Sequence, residues 1–162
     1  MISRVGMIYF PDQQRALAGM AHALKKGGKV AAMVYSTAEK NAFFSVPVSI
    51  IRRRAQLPPP LAGQPGPFSL GGDGVLEKAF LDAGFVDVQV QVINAPVLLD
   101  TAAECLQFEK ESFGALHQML GGLSEDEKDQ AWQEIEKSLS EFQDENGFNG
   151  PCEFVIAVGT KA

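Results

Sequence analysis

Histidine and cysteine are too scarce in this sequence to build a metal site. Each occurs twice, as His22, His117, Cys105 and Cys152, and none of the four stands at ligand spacing from another. No Cys-x-x-Cys pair exists, so neither a zinc centre nor a disulfide framework is expected. Buried free thiols in a reducing, cytoplasmic setting are the expectation instead. No apolar run reaches the roughly 18 residues that cross a bilayer, and the amino terminus carries no basic segment followed by an apolar stretch. Excess positive charge is also missing. A net charge of −6 and a pI near 4.9 exclude a nucleic-acid groove or an anionic membrane as the main partner. The one basic cluster, Arg52-Arg53-Arg54, reads as a solvated helix face. No Gly-x-Gly-x-x-Gly pattern occurs. Gly27-Gly28-Lys29 lacks the upstream glycine and the following Ser or Thr of a phosphate loop, so it reads as a helix stop.

What the sequence does contain is α/β alternation. Its 162 residues, 46% hydrophobic and 21% charged, suffice for one globular core, so a single domain over 1–162 is expected. Asp12 can cap a helix whose Leu17, Met20, Ala21 and Leu24 share one face. Val30 to Tyr35 follows, apolar throughout, as in a strand covered on both faces. That pair forms the second half of a βαβ crossover, yet only a stub, Met1 to Val5, precedes it as first strand. The chain is therefore expected to begin inside a fold.

Pro47 interrupts the apolar segment 41–54, which predicts a short helix after the proline. Leu57 to Gly72, with five prolines, reads as an extended loop. Asp73 can cap a helix carrying Leu76, Ala79, Phe80 and Ala83, ended by Gly84. Val86, Val88, Val90 and Val92 then alternate with polar residues, as in a half-buried strand near a sheet edge. Thr101 with Glu104 predicts a capped helix through Cys105, Leu106, Phe113 and Leu116. Ser124 with Glu127 predicts another, with Trp132, Ile135, Leu139 and Phe142 inward and its acids on the wet face. Asn146-Gly147 breaks it, and Phe154 to Val158 closes the chain as a buried strand.

Four segments in this order carry a family resemblance. "ISRVGMIYFPD" (Ile2 to Asp12) resembles the end of the fourth strand and active-site loop of class I S-adenosylmethionine-dependent methyltransferases. "ALAGMAHALKKGGKVAAMVYS" (Ala16 to Ser36) resembles their next helix, glycine turn and fifth strand. "LEKAFLDAGFVDVQV" (Leu76 to Val90) is similar to the later helix, Ala-Gly-Phe turn and sixth strand, and "PCEFVIAVGTKA" to the terminal strand. The resemblance implies a partial Rossmann-like α/β fold: the carboxyl-terminal strands of a seven-stranded sheet, the last one antiparallel. Segments 41–72 and 100–147 are then insertions that cap the substrate.

The same resemblance implies methyl transfer to a small molecule, with S-adenosylmethionine as cofactor. It places Ser3, Arg4, Val5 and Gly6 near the cofactor's sulfur end. Arg4 could steer an acidic acceptor. The family's glycine-rich loop and ribose-holding acid belong to its first half and have no counterpart here, so the isolated chain is expected to be inactive. Phe43, Phe44, Phe68, Phe108 and Phe113 are candidates to line an apolar substrate pocket. No catalytic residue and no metal ligand stands out. The alternative is a non-catalytic fragment or ligand-binding module, stabilised as a homodimer that covers the first strand's edge.

Overall fold

The computed structural model describes residues 1–61 and 64–162. In chain order the elements are β1 (Ile2–Arg4), α1 (Gln13–Ala23), β2 (Lys29–Tyr35), α2 (Ala42–Arg54) and α3 (Val75–Asp82). They continue with β3 (Phe85–Asn94), β4 (Val97–Leu99), α4 (Ala102–Ser112), α5 (Gly114–Met119) and α6 (Glu125–Leu139). The last are β5 (Gln143–Asp144), β6 (Gly147–Gly150) and β7 (Glu153–Lys161). Where one domain is expected, the chain divides into two compact units. The first comprises 1–37, 61–95 and 153–162; the second comprises 38–60 and 96–152. Segment 61–72, expected in a capping insertion, thus belongs to the first unit apart from residues 62 and 63, which lie outside the described residues.

The first unit is a four-stranded sheet of order β1-β2-β7-β3. β1 pairs parallel to β2, and β7 enters antiparallel between β2 and β3. The closing strand therefore lies where the resemblance puts it. Asp12 caps α1 by accepting from the Arg15 N–H at 2.8 Å. Gly27, at φ 75°, turns the chain into β2, and its N–H donates to the Lys161 carbonyl at 2.9 Å. Lys161 Nζ also donates to the Leu24 carbonyl at 2.7 Å, placing a cation at the negative end of α1. The glycine pair is thus a helix stop stitched to the last strand.

Register pairs Val30 with Gly159, Ala32 with Ala157 and Val34 with Val155. These six residues and the buried Leu17, Phe80 and Phe85 form the core face. A β-carbon on Gly159 would stand 2.8 Å from the Phe80 ring, so glycine lets α3 close on the sheet. The alternate residues Ala31, Met33, Ile156 and Val158 are only half-buried. Neither β2 nor β7 is therefore buried on both sides, despite their continuous apolar sequence. β3 is an edge strand as expected, but its valines do not all share one face. A bulge between Val86 and Gln89, with Asp87 at φ 49°, breaks the alternation.

The second unit packs α2 and α4 against α6, with a small sheet of order β4-β6-β5. Four expectations need correction here or in α3. α2 runs straight through Pro47, which is buried inside it. Phe43, Phe44, Pro47, Ile50 and Ile51 form one stripe across the proline, and its burial outweighs the lost backbone bond. The helix from Thr101 stops at Ser112 and a new one starts at Gly114, so Cys105 and Leu116 lie on different helices. α3 is capped by the left-handed Gly74, with no side-chain cap from Asp73. The Ser124–Glu127 capping box forms in full, but Phe142 lies beyond α6 in a short 3-10 turn.

Candidate functional site

In open α/β sheets ligands bind beyond the carboxyl ends of the parallel strands. Here those ends are the turn after β1 and the residues after β2. Ser3 and Arg4 close β1, beside Ala32 and Met33 respectively. Ser3 is half-buried and Arg4 is exposed. Val5 then adopts φ 58° and ψ −6°, a left-handed conformation, and donates its N–H to the Met33 carbonyl at 2.8 Å. A β-branched residue pays roughly 1–2 kcal/mol for this geometry. Gly6, the residue free to take it, does not: the left-handed step falls one position earlier. The four candidate cofactor residues Ser3, Arg4, Val5 and Gly6 thus form one continuous strand end and turn.

The turn is braced from behind. Met7 and Ile8 are fully buried in the 3-10 helix Gly6–Tyr9. The Ile8 carbonyl accepts from Gln13 Nε2 at 3.1 Å and from the Gly66 N–H at 3.0 Å. Gln13 Nε2 also donates to Ser69 Oγ at 2.9 Å, so the proline-rich loop is tied to the turn. Partial burial pushes the Tyr9 phenol above its ordinary pKa, which leaves it a poor base near neutrality.

At the end of β2, Tyr35 stacks on Phe154 of β7, ring centres 5.0 Å apart, and meets Phe68 at 6.4 Å. Gly71 presses on this strand end, where a β-carbon would stand 2.1 Å from the Ser36 carbonyl oxygen. Tyr35, Phe154 and Gly71 are the residues that sequence reasoning missed. The sequence shows only an aromatic in each of two apolar segments; their stacking follows from the register that sets Tyr35 opposite Phe154.

The phenylalanine candidates separate. Phe68 lies in the first unit, half-buried against Tyr35. Phe43, Phe44, Phe108 and Phe113 lie in the second. Phe44 meets Phe113 at 4.5 Å and Phe43 at 6.0 Å, while Phe108 meets Phe113 edge-on at 5.7 Å. Phe43 and Phe44 are buried and Phe108 is exposed. Four of the five thus build one aromatic cluster on the helical unit.

Among the described residues no group of His, Cys, Asp and Glu could hold a metal, and no helix is long and apolar enough to cross a membrane. Cys105 and Cys152 are free and buried. Burial, helped by the Glu109 carboxyl, pushes the Cys105 thiol up to about 12. Arg53 and Arg54 both pair with Glu134, so the basic run ties α2 to α6.

A prediction arises at the turn. Val5→Gly removes the left-handed penalty and is expected to stabilise the first unit by about 1 kcal/mol, less the extra entropy of the unfolded glycine. Urea midpoints of the two proteins check it; a destabilised variant would show that the valine side chain matters more than its backbone.

The sequence matches no protein-family model and no curated protein. Solved structures do match. A "putative methyltransferase" from Bacillus halodurans C-125 superposes with a TM-score of 0.53 at 14% identity, over 99% of this chain and 68% of its own. The YcgJ protein from Bacillus subtilis gives a TM-score of 0.50 at 16% identity, over 99% of this chain and 62% of its own. Phosphoethanolamine N-methyltransferase 2 from Haemonchus contortus, in complex with S-adenosyl-L-methionine, gives 0.45 at 18% identity, over 99% of this chain and 32% of its own. This chain spans from about a third to about two thirds of the length of these proteins. The fold is the α/β, Rossmann-like fold of methyltransferases, with the last strand antiparallel and the helical segments inserted.

Proposed function

We propose that this chain serves S-adenosylmethionine-dependent methyl transfer to a small molecule, as the carboxyl-terminal half of the catalytic fold. One observation carries the reading: a β-branched residue, Val5, is held in a left-handed turn at the carboxyl end of β1. Backbone strain at a strand end where ligands bind favours a functional over a structural origin. In this reading Ser3 to Gly6 face the sulfonium end of the cofactor. The residues present fit only that end, because no glycine-rich loop and no strand-end acid for the ribose occur among them. The cofactor, when bound, supplies the methyl group, and the protein's task is alignment of an acceptor with it. Arg4, exposed at the same strand end, attracts an acidic acceptor. Phe68, which meets Tyr35 at the end of β2, is the aromatic of the first unit that contacts the acceptor. Two buried, unbridged thiols support a cytoplasmic location.

Titrating S-adenosylhomocysteine into the isotope-labelled chain tests this. Weak, millimolar binding is expected, with amide shifts concentrated at Ser3–Gly6 and at the end of β2. Shifts elsewhere, or none at saturating ligand, would remove the proposal's basis. A second reading, a non-catalytic module held as a homodimer, draws on the aromatic cluster: Phe44 and Phe113 pack on each other as a core does. Tight cofactor binding by this chain alone would contradict both readings.

A further inference from the structure

We infer that the Asn146–Gly147 step is a site of spontaneous covalent modification: the Asn146 amide is lost through a cyclic imide, which leaves aspartate or isoaspartate in the turn between β5 and β6. The chemistry is independent of the methyl-transfer reading.

Of the asparagines in the chain, Asn146 and Asn149 each precede a glycine. In such a step the next main-chain nitrogen can attack the asparagine side chain, because glycine has no β-carbon to crowd the approach. The dipeptide alone gives both steps the same reactivity. The fold separates them. Both side chains are exposed, so access of water does not decide between them. Backbone freedom does.

Asn149 lies within β6, the central strand of the order β4-β6-β5. It is opposite Leu98, while its neighbours Phe148 and Gly150 are opposite Leu99 and Val97. Gly150 is buried, and a β-carbon there would stand 2.6 Å from the Phe148 ring. Ring closure must rotate the asparagine out of the extended backbone, and this pairing opposes the rotation.

Asn146 lies in the turn, outside the ladder. One arm of that turn is β5, two exposed residues paired with Phe148 and Gly147. So short an edge frays at low cost. In the closed turn Asn146 donates its N–H to Asp144 Oδ1 at 2.7 Å, and Gly147 pairs with Asp144. Reaction therefore occurs in the frayed turn. The glycine cannot be replaced to prevent it. Gly147 stands at φ 114°, and a β-carbon on it would lie 2.8 Å from the Leu99 carbonyl oxygen. The hairpin requires the very residue that makes its neighbour labile.

In the first step solvent base takes the Gly147 amide proton and the nitrogen bonds to Asn146 Cγ. The Cγ–Nδ2 bond breaks, and the side-chain nitrogen leaves as ammonia. Water then opens the imide at either carbonyl. One opening gives aspartate; the other routes the main chain through the β-carbon as isoaspartate. That longer main chain no longer sets Asp144 opposite Gly147. Gln143 beside it accepts the Ala102 N–H at 2.7 Å through Oε1, so loosening of β5 also takes a bond from the first turn of α4.

Peptide mapping by mass spectrometry, on the native chain warmed at mildly alkaline pH, reads the site. A gain of about 1 Da is expected at Asn146, at least about tenfold faster than at Asn149. In urea both steps are expected to react at similar rates, since no pairing then distinguishes them. Asn146→Gln, whose longer side chain closes a less favoured ring, is expected to stay unmodified at that position. The isoaspartyl form, separated by ion exchange, is expected to have a lower urea midpoint than Asn146→Gln. Equal rates at the two steps of the native chain, or an intact Asn146 while the chain in urea is converted, overturns the inference. Equal midpoints overturn the coupling to α4.

Discussion

Gly71→Ala is expected to cost about 3 kcal/mol or more of stability, seen as a large fall in the urea midpoint or as insoluble protein. The added carbon would stand 2.1 Å from the Ser36 carbonyl oxygen and 2.3 Å from that of Tyr35. Those are main-chain atoms, so no side-chain rotation relieves the contact. Nor can the strand retreat. β2 is paired to β1 on one side and to β7 on the other, and the Ser36 N–H is held by the Glu153 carbonyl at 2.9 Å. The loop must move instead, and it is anchored by the Gly71 N–H on the Phe68 carbonyl at 3.2 Å and by Ser69 on Gln13. A variant within about 1 kcal/mol of wild type would show that this loop shifts freely, and the close packing behind the Tyr35 and Phe68 cluster would lose its structural role.

The first unit was legible in the sequence because its elements are long and their stops are chemical. Asp12, Gly27 and Gly84 mark boundaries that the structure keeps, and the antiparallel β7 follows from resemblance. What escaped depends on contacts between distant residues. β4, β5 and β6 have two to four residues each, too short for a period, and exist only because they pair with one another. Pro47 reads as a break locally, but the stripe from Phe43 to Ile51 decides otherwise. At the site, Ser3 to Gly6 were placed by resemblance, and the register sets Ser3 and Arg4 beside Ala32 and Met33 of β2. The left-handed Val5 could not be foreseen, because the glycine beside it is the residue expected to turn. Glu109 escaped for a different reason: the Thr101 helix was read only through its apolar residues, although the spacing of Glu109 from Ala102, Cys105 and Leu106 puts it on the buried stripe of α4.

Glu109 should make the protein less stable as pH rises through neutrality. Its side chain is fully buried, and neither carboxyl oxygen has a hydrogen-bond partner. The adjacent Lys110 is engaged elsewhere, over the Trp132 ring at 5.1 Å. Burial without compensation favours the neutral acid and raises the pKa from 4.5 to about 9. In the unfolded chain the group ionises near its ordinary value. Between those two values the folded state holds a proton that the unfolded state has released. Stability is therefore full below about pH 4.5, falls with a slope of roughly 1.4 kcal/mol per pH unit, and levels off above about pH 9. Glu109→Leu abolishes this slope and is expected to stabilise the protein at pH 7 by about 3 kcal/mol, since an apolar chain fits where an unpaired acid does not. Urea unfolding of both proteins at pH 5, 6, 7 and 8 reads the difference directly. Parallel stability profiles for wild type and variant would mean that Glu109 is solvated or paired in solution, and that the interior of the helical unit is more open than its packing indicates.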